Sequence, residues 1–295
     1  MVARLPPSVK QLLKLRHPSS LPSPPSAKLY GVLNHTLLDA KAKRAETGWL
    51  VLVTCTLLTI NRPSSVAYLY RFATGPNSSD LDSRNNLQVA HAANKAALMR
   101  ESALKCSIFV GVPRVILSLA ALYEALDNEV KTALRTDSHR FLTAENVQST
   151  LLRGRTLWNS IYAPHADKLH DKLESYHPDF ISFIIQAYGS VLSPMPGETR
   201  SYSDSTSITD PYQGNLSRAL TSVVGIATLR SEGRVGPQLT SHTFGLLKAR
   251  YIQDQNEEDA WLSSDEGTEW VIRTVDEIID VVSPDAQEVP TKTRL

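Results

Sequence analysis

Cysteine is scarce in this chain of 295 residues, occurring as Cys55 and Cys106 and nowhere else. The two lie far apart within apolar runs, a spacing typical neither of a disulfide framework nor of a zinc site. We interpret both as buried small hydrophobic residues. No metal site is predicted from them.

The chain also lacks an excess of one charge, a long apolar run and the common nucleotide or hydrolase motifs. A formal net charge of +1 argues against nucleic acid as the main partner. The longest apolar run, 49–60, is broken by threonines and is shorter than the ~20 residues of a membrane span. Because GxxxxGK[ST], GxSxG, HExxH and a GxGxxG after a strand are absent, we predict no cofactor.

Acidic residues are missing before Asp39, whereas the same stretch carries several basic residues and prolines. This composition suits a mitochondrial transit peptide, but the prolines would break any longer helix. A disordered N-terminal arm is the alternative. Since no secretory signal is seen, we expect a mitochondrial or cytoplasmic protein.

Apolar residues recur at helical spacing along most of the chain, which predicts an all-α fold. Segment 49–60 is apolar nearly all round and fits a buried strand as well as a buried helix. The polar segment 193–214 is predicted to be a flexible loop, either a lid or simply disordered. We predict an arm (1–28), a first helical unit (29–130), a connector (131–160), a second helical unit (161–283) and a tail (284–295).

A weak internal repeat supports two related units. Segments 57–75 and 227–245 both read as the end of an apolar helix, a short polar break and a second apolar helix.

Two segments carry a family resemblance. Segment 100–118, RESALKCSIFVGVPRVILS, has Glu101 opening a helix and a break at Gly111 and Pro113. Segment 219–246, ALTSVVGIATLRSEGRVGPQLTSHTFGL, is a helical hairpin with His242 near its end. Both resemble the AhpD / carboxymuconolactone decarboxylase-like superfamily, most closely its fungal two-unit members. The resemblance covers most of residues 45–282 and implies two AhpD-like units packed as a pseudo-twofold pair, in a protein that forms homo-oligomers.

The chain departs from the family where AhpD-type peroxidases carry their chemistry. The resemblance puts Val235 and Gln238 at the two cysteine positions and Val223 at the relay glutamate, and the first unit also lacks the cysteines. A dithiol cycle needs an attacking and a resolving thiol, so peroxidase activity by this mechanism is not expected. A residual peroxidase using Cys106 alone ranks below the other hypotheses.

The candidate site consists of His242, Gln238 and Glu101, and the resemblance places the histidine beside a cavity between helices. Gln238 and His242 are four residues apart, which puts both on one helix face. The first hypothesis is acid–base chemistry on a small organic molecule, with His242 as acid/base, Gln238 orienting the substrate and Glu101 secondary. The alternatives are a core histidine for His242 and an ordinary first-turn acid for Glu101. The second hypothesis is a non-catalytic assembly or ligand-binding subunit.

Histidines and aspartates cluster densely at His165, Asp167, His170, Asp171, His177 and Asp179. His165 and His170 are five apart, a spacing that does not place two ligands on one helix face. Asp167 does share a face with His170 and with Asp171, so a metal site is the alternative. We interpret the cluster as a solvated helix face.

Overall fold

The computed structural model describes residues 4–15, 19–75 and 86–283, and these ranges form an all-α fold, confirming the predicted class. The predicted tail, 284–295, and parts of the predicted arm lie outside them. The helices are α1 (Pro7–Leu13), α2 (Ser26–Ala42), α3 (Glu46–Thr59), α4 (Pro63–Thr74), α5 (Asn86–Val110), α6 (Val112–Ala125), α7 (Asn128–Ala133), α8 (Val147–Tyr162), α9 (Ala166–Tyr176), α10 (Pro178–Ala187), a π-helix (Tyr188–Leu192), α11 (Arg218–Glu232), α12 (Gly236–Ala249), α13 (Glu257–Leu262) and α14 (Asp265–Val282).

Two helices that are buried on every side, α3 and α11, pack against each other at the centre of the molecule. The ambiguous segment 49–60 is therefore a helix for most of its length. The threonine hydroxyls of α3 are hydrogen-bonded within the helix. Those of Thr54, Thr56 and Thr59 each donate to the backbone carbonyl four residues earlier, at 2.7, 2.8 and 2.7 Å. Because these bonds stay within the helix, α3 offers neighbouring helices an apolar surface on all sides.

The surrounding helices repeat a pattern. Each central helix continues through a short break into a second helix, α3 into α4 and α11 into α12, and each packs against both α5 and α14. The breaks contain left-handed residues, Asn61 with φ 58° and Arg234 with φ 59°. These residues are 173 positions apart (234 minus 61), whereas the repeat read from the sequence has an offset of 170. The two helix pairs thus correspond in structure, with an offset three residues longer than the offset of the sequence repeat.

A smaller apolar cluster is built from α8, α9, α10 and the π-helix. It contains Leu157, Trp158, Ile161, Ala166, Ile181, Tyr188 and Leu192. The predicted boundary between connector and second unit, at residues 160 and 161, falls inside α8. The stretch leading into α8 is rich in charged residues, which favours a linker, whereas α8 buries one face.

Glycines let α8 and the π-helix cross with their backbones in contact. A Cβ at Gly154 would lie 2.1 Å from the carbonyl oxygen of Ile185, and one at Gly189 would lie 2.0 Å from that of Thr150. No side chain fits at either position unless the two backbones separate. The crossing fixes where the first residue of the π-helix, Tyr188, meets α12.

The segment 193–217, here named the strap, has no regular structure and is hydrogen-bonded along its length. Arg200 and Asp210 form a two-pronged ion pair at 2.8 and 2.7 Å within it. Thr206 donates from its backbone to Ala90 on α5, and Gln213 donates from its side chain to Ala133 on α7. The polar composition that predicted a flexible loop instead supplies the groups that fasten the strap to the bundle.

Across the described ranges, every helix is too short or too polar to cross a bilayer.

Candidate functional site

His242 lies in the middle of α12, at the junction of α5, α11 and the π-helix, with 2% of its surface exposed. Its ring packs on the backbone of Gly225 in α11, where a Cβ would come within 2.6 Å of Nδ1. Phe109 from α5 meets the ring edge-on, with centroids 5.2 Å apart. The histidine ring is therefore packed between α11 and α5.

Two tyrosines connect His242 with the surface. The hydroxyl of Tyr188 lies 3.4 Å from Nε2 of His242, and the hydroxyl of Tyr162 lies 3.1 Å from that of Tyr188. Trp158 covers Tyr162, with centroids 4.1 Å apart. The result is a chain of two hydroxyls and one imidazole running from a partly buried tyrosine into the core.

The electrostatics keep this chain uncharged near neutral pH. Burial, together with the charge of Arg218, lowers the pKa of His242 to about 3. Burial also raises the pKa of Tyr188 well above its ordinary value and raises that of Tyr162. A general base works best when its pKa lies near the working pH. His242 is thus suited to hydrogen bonding as a neutral imidazole rather than to accepting a proton.

Arg218 sits beside this chain on α11. Its guanidinium donates to the hydroxyls of Ser160 and Ser222 and to the carbonyl of Gly245. Burial lowers its pKa to about 10, so it remains charged at neutral pH. The charge near His242 therefore persists, with neutral oxygens as its hydrogen-bond partners.

The predicted partner Gln238 is exposed, in the first turn of α12. That turn extends past the helices that bury His242, so four-residue spacing on one helix does not bring the two into one environment. Both residues are in the described part, and no hydrogen bond joins their side chains.

Glu101, the third predicted site residue, is buried in the middle of α5, sixteenth of the helix's 25 residues. The alternative that it is a first-turn acid is therefore wrong; the motif had suggested a helix start near residue 100. Its carboxylate pairs with Arg140 and with Lys105, the latter at 3.4 Å. Glu101 lies eight residues before Phe109, about 12 Å along the helix axis at 1.5 Å per residue, so it is remote from His242.

Lys105 of α5 is fully buried, and its amine binds the carbonyls at the C-terminal end of the π-helix. Its Nζ donates to the carbonyls of Val191, Leu192 and Ser193 at 3.2, 2.6 and 2.9 Å. Burial lowers the pKa of Lys105 to about 8, and the charge of Glu101 opposes that shift. Three acceptors for three N–H bonds favour the protonated amine at neutral pH.

A cleft of about 290 Å³ opens where α8, α9 and α12 meet, and we name it the lysine cleft. It is lined by Ile161, Tyr162, Ala163, His165, Lys168, Leu169, Lys172, Ser241, Phe244 and Lys248. Lys248 donates to the carbonyls of Ile161 and Ala163, both at 2.6 Å, and so serves the structure. Lys168 and Lys172 are exposed, one turn apart on α9, and form no ion pair with any described residue. The lining contains no carboxylate, and Tyr162 joins it to the buried tyrosine–histidine chain.

The two cysteines, distant in sequence, approach each other in the core. Both are fully buried, which confirms the interpretation as small core residues. Burial and the neighbouring Cys106 raise the pKa of Cys55 well above its ordinary value. The thiol of Cys106 also lies 3.3 Å from the hydroxyl of Thr228. Nothing in the spacing signalled this pairing, because it depends on how α3, α5 and α11 pack.

The histidine–aspartate cluster is dispersed over the surface. Asp167 pairs with Arg155 at 3.4 Å, and His177 accepts from the backbone of Asp179 at 3.2 Å. His170, Asp171 and Glu174 bring ligand atoms within 4.8 Å of one another, and both carboxylates are exposed. The arrangement is that of a solvated helix face.

Comparison with known proteins gives no match: no family model, no curated protein and no solved structure is significantly similar to this chain. The AhpD-like resemblance therefore stands on the motifs quoted from the sequence.

Proposed function

We propose that this chain is an AhpD-like protein that binds a small aromatic carboxylate in the lysine cleft, without thiol chemistry. One observation carries the proposal: Lys168 and Lys172 face a cleft whose lining has no carboxylate. An anion with an apolar body is the ligand that such a surface complements.

The rest of the cleft fits the body of such a ligand. Phe244, Leu169 and Ile161 supply apolar walls, and Phe244 is 55% exposed although it is large and aromatic. A planar ring placed against Phe244 would cover this surface. Its carboxylate would then lie against the α9 lysines, and the hydroxyl of Tyr162 would be available as a further hydrogen-bond donor.

Binding is favoured over catalysis because the buried chain behind Tyr162 is neutral. Its imidazole has a pKa of about 3, far from the range in which a side chain exchanges protons readily at neutral pH. The tyrosines and His242 are better suited to holding the wall of the cleft in one conformation. This supports the ligand-binding hypothesis over the acid–base one.

The test is a titration with benzoate and with its uncharged analogue benzamide, followed by calorimetry. We expect benzoate to bind at least tenfold more tightly than benzamide. The double variant Lys168→Glu/Lys172→Glu should lose at least tenfold in benzoate affinity, because it reverses the charge that attracts the carboxylate.

The matched control is Lys10→Glu/Lys14→Glu, which makes the same charge change at the exposed helix α1. Its benzoate affinity should equal that of the unmodified protein. Equal affinity for benzoate and benzamide, or an equal loss in the control, would refute the proposal.

A further inference from the structure

A second, smaller cavity lies at Glu101, the predicted site residue that is remote from His242. It measures about 150 Å³ and is bounded by α5, α6, the residues after α7 and the strap. We name it the arginine cavity; it is lined by Ala97, Arg100, Glu101, Leu104, Leu119, Arg135 and Gln213.

The cavity wall has more positive charge than its carboxylate can balance. Glu101 is already paired with Lys105 and Arg140. The Nη1 of Arg135 donates to the backbone carbonyl of Asp137, a neutral acceptor. The guanidinium of Arg100 has neither a hydrogen bond nor an ion pair with any described residue. Two arginines thus face one cavity whose single carboxylate, Glu101, is shared with Lys105 and Arg140.

The two guanidiniums also repel each other. Burial lowers the pKa of Arg100, and the charge of Arg135 lowers it further. Burial likewise lowers the pKa of Arg135; the charge of Glu101 opposes this lowering, and the charge of Arg140 adds to it. His139 has a pKa lowered by burial and then by Arg135 and Arg140. The surrounding groups therefore set up a positive potential that a bound anion would relieve.

We propose that the arginine cavity binds a phosphate group, either inorganic phosphate or the head of a phosphate monoester. A guanidinium presents a planar fork of donors that matches tetrahedral oxyanions, and two forks match a charge near −2. The volume equals that of about five waters at ~30 Å³ each, which suits one such group.

The neighbouring residues hold the two forks in place. Gln213 is buried; its Oε1 accepts from the backbone of Arg135 at 2.8 Å, and its Nε2 donates to Ala133 and Ser207. Because these bonds use the amide, Gln213 positions Arg135 and leaves the phosphate to the arginines. Ala97, Leu104 and Leu119 supply apolar wall without competing donors. Glu101 completes the lining, and its carboxylate is already paired with Lys105 and Arg140.

The experiment measures thermal unfolding and calorimetric affinity with sodium phosphate, using sodium acetate at equal ionic strength as the reference. We expect phosphate, and not acetate, to raise the melting temperature. Arg100→Gln should melt at the same or a higher temperature than the unmodified protein without ligand, because the arginine repulsion is gone. Its phosphate affinity should fall at least tenfold. This pair of results separates loss of the site from loss of the fold.

Arg273→Gln is the matched control, since Arg273 is exposed on α14 and pairs with Glu269. It should keep the phosphate affinity. Stabilisation no greater than with acetate, unchanged affinity in Arg100→Gln, or an equal loss in Arg273→Gln would overturn the proposal. Tighter binding of glycerol 3-phosphate than of phosphate would identify a monoester as the source, and the reverse would identify the free ion.

The two proposed sites are tested apart. Lys168→Glu/Lys172→Glu should keep phosphate affinity, and Arg100→Gln should keep benzoate affinity. Phosphate binding that disappears with the α9 lysines and persists without Arg100 would place the anion in the lysine cleft and refute the arginine cavity.

Discussion

At the scale of single residues, the position of His242 depends on the absence of a side chain opposite it. Gly225 leaves room for the imidazole, and the central helix α11 tolerates this glycine although an alanine would suit a helix better by about 1 kcal/mol. The cost of filling that space is therefore a direct measure of how firmly the histidine is held.

Gly225→Ala should lower the free energy of unfolding by about 1–3 kcal/mol, as an overpacked core does. The reason is the 2.6 Å approach of the new Cβ to Nδ1 of His242. Urea denaturation measures the change. Gly236→Ala is the control, because a Cβ there meets nothing within 4 Å. The double variant Gly225→Ala/His242→Ala should lose less free energy of unfolding than the two single variants lose together. Equal losses would show that the new methyl group does not contact the ring.

Another residue, Glu258, makes stability depend on pH. Burial raises its pKa to about 7, against hydrogen bonds that favour the ionised form, including one of 2.8 Å from the backbone of Gly48. Because the folded-state pKa is above the unfolded one, the folded chain binds more protons between pH 4.5 and 7. This contribution to stability is full below pH 4.5 and is lost as the pH rises through 7.

The free energy of unfolding of Glu258→Gln, taken relative to that of the unmodified protein, should therefore be higher at pH 8 than at pH 5. At 1.36 kcal/mol per pKa unit the difference is at most about 3 kcal/mol. Chemical denaturation at the two pH values measures it. Glu257→Gln, exposed one residue earlier, is the control: it keeps Glu258, so its stability should change between pH 5 and pH 8 as that of the unmodified protein does. A variant with an unchanged pH profile would mean that Glu258 does not carry this effect.

At the scale of elements, the crossing of α8 and the π-helix organises the smaller cluster. Gly189→Ala should destabilise the protein by about 3 kcal/mol or more, because its Cβ would meet the backbone of Thr150 at 2.0 Å. Benzoate affinity should also fall, since Tyr188 would shift away from Tyr162. Gly31→Ala on α2, where a Cβ has open space, is the control and should stabilise slightly. A variant as stable as Gly31→Ala would contradict the close crossing.

Much of this element structure was predictable, and the failures have physical causes. Apolar spacing predicted the all-α class because most of the helices bury one face or all faces. Segment 49–60 was ambiguous because an all-round apolar run has no periodicity. The sequence around α8 predicts a connector because it is rich in charged residues, although the helix itself buries one face.

The candidate site was less predictable than the helices. His242 was singled out, yet its neighbours Tyr188 and Phe109 come from other helices, 54 and 133 positions away in the chain. Gln238 and His242 lie in different environments because one helix can pass from buried to exposed within a single turn. The lysine cleft and the arginine cavity each need several elements packed together, and periodicity carries no information on that packing.

At the scale of the whole molecule, one core joins both halves of the chain. Helices α3 and α11 each contact α5 and α14, so neither half buries its apolar surface without the other. The strap adds a second connection, from the π-helix to α11 across α5 and α7. The two proposed anion sites lie on different parts of this single body, which is why their variants are expected to act independently.

Lys105 has a consequence for the chemistry of the intact molecule. Its amine is fully enclosed and holds three carbonyls of the π-helix end, so an acylating reagent in solution has no path to it while the fold is closed. The exposed lysines of α1 and α9 would be acylated first under the same treatment. The rate at which Lys105 is acylated would therefore report how often the helical bundle opens in the native state.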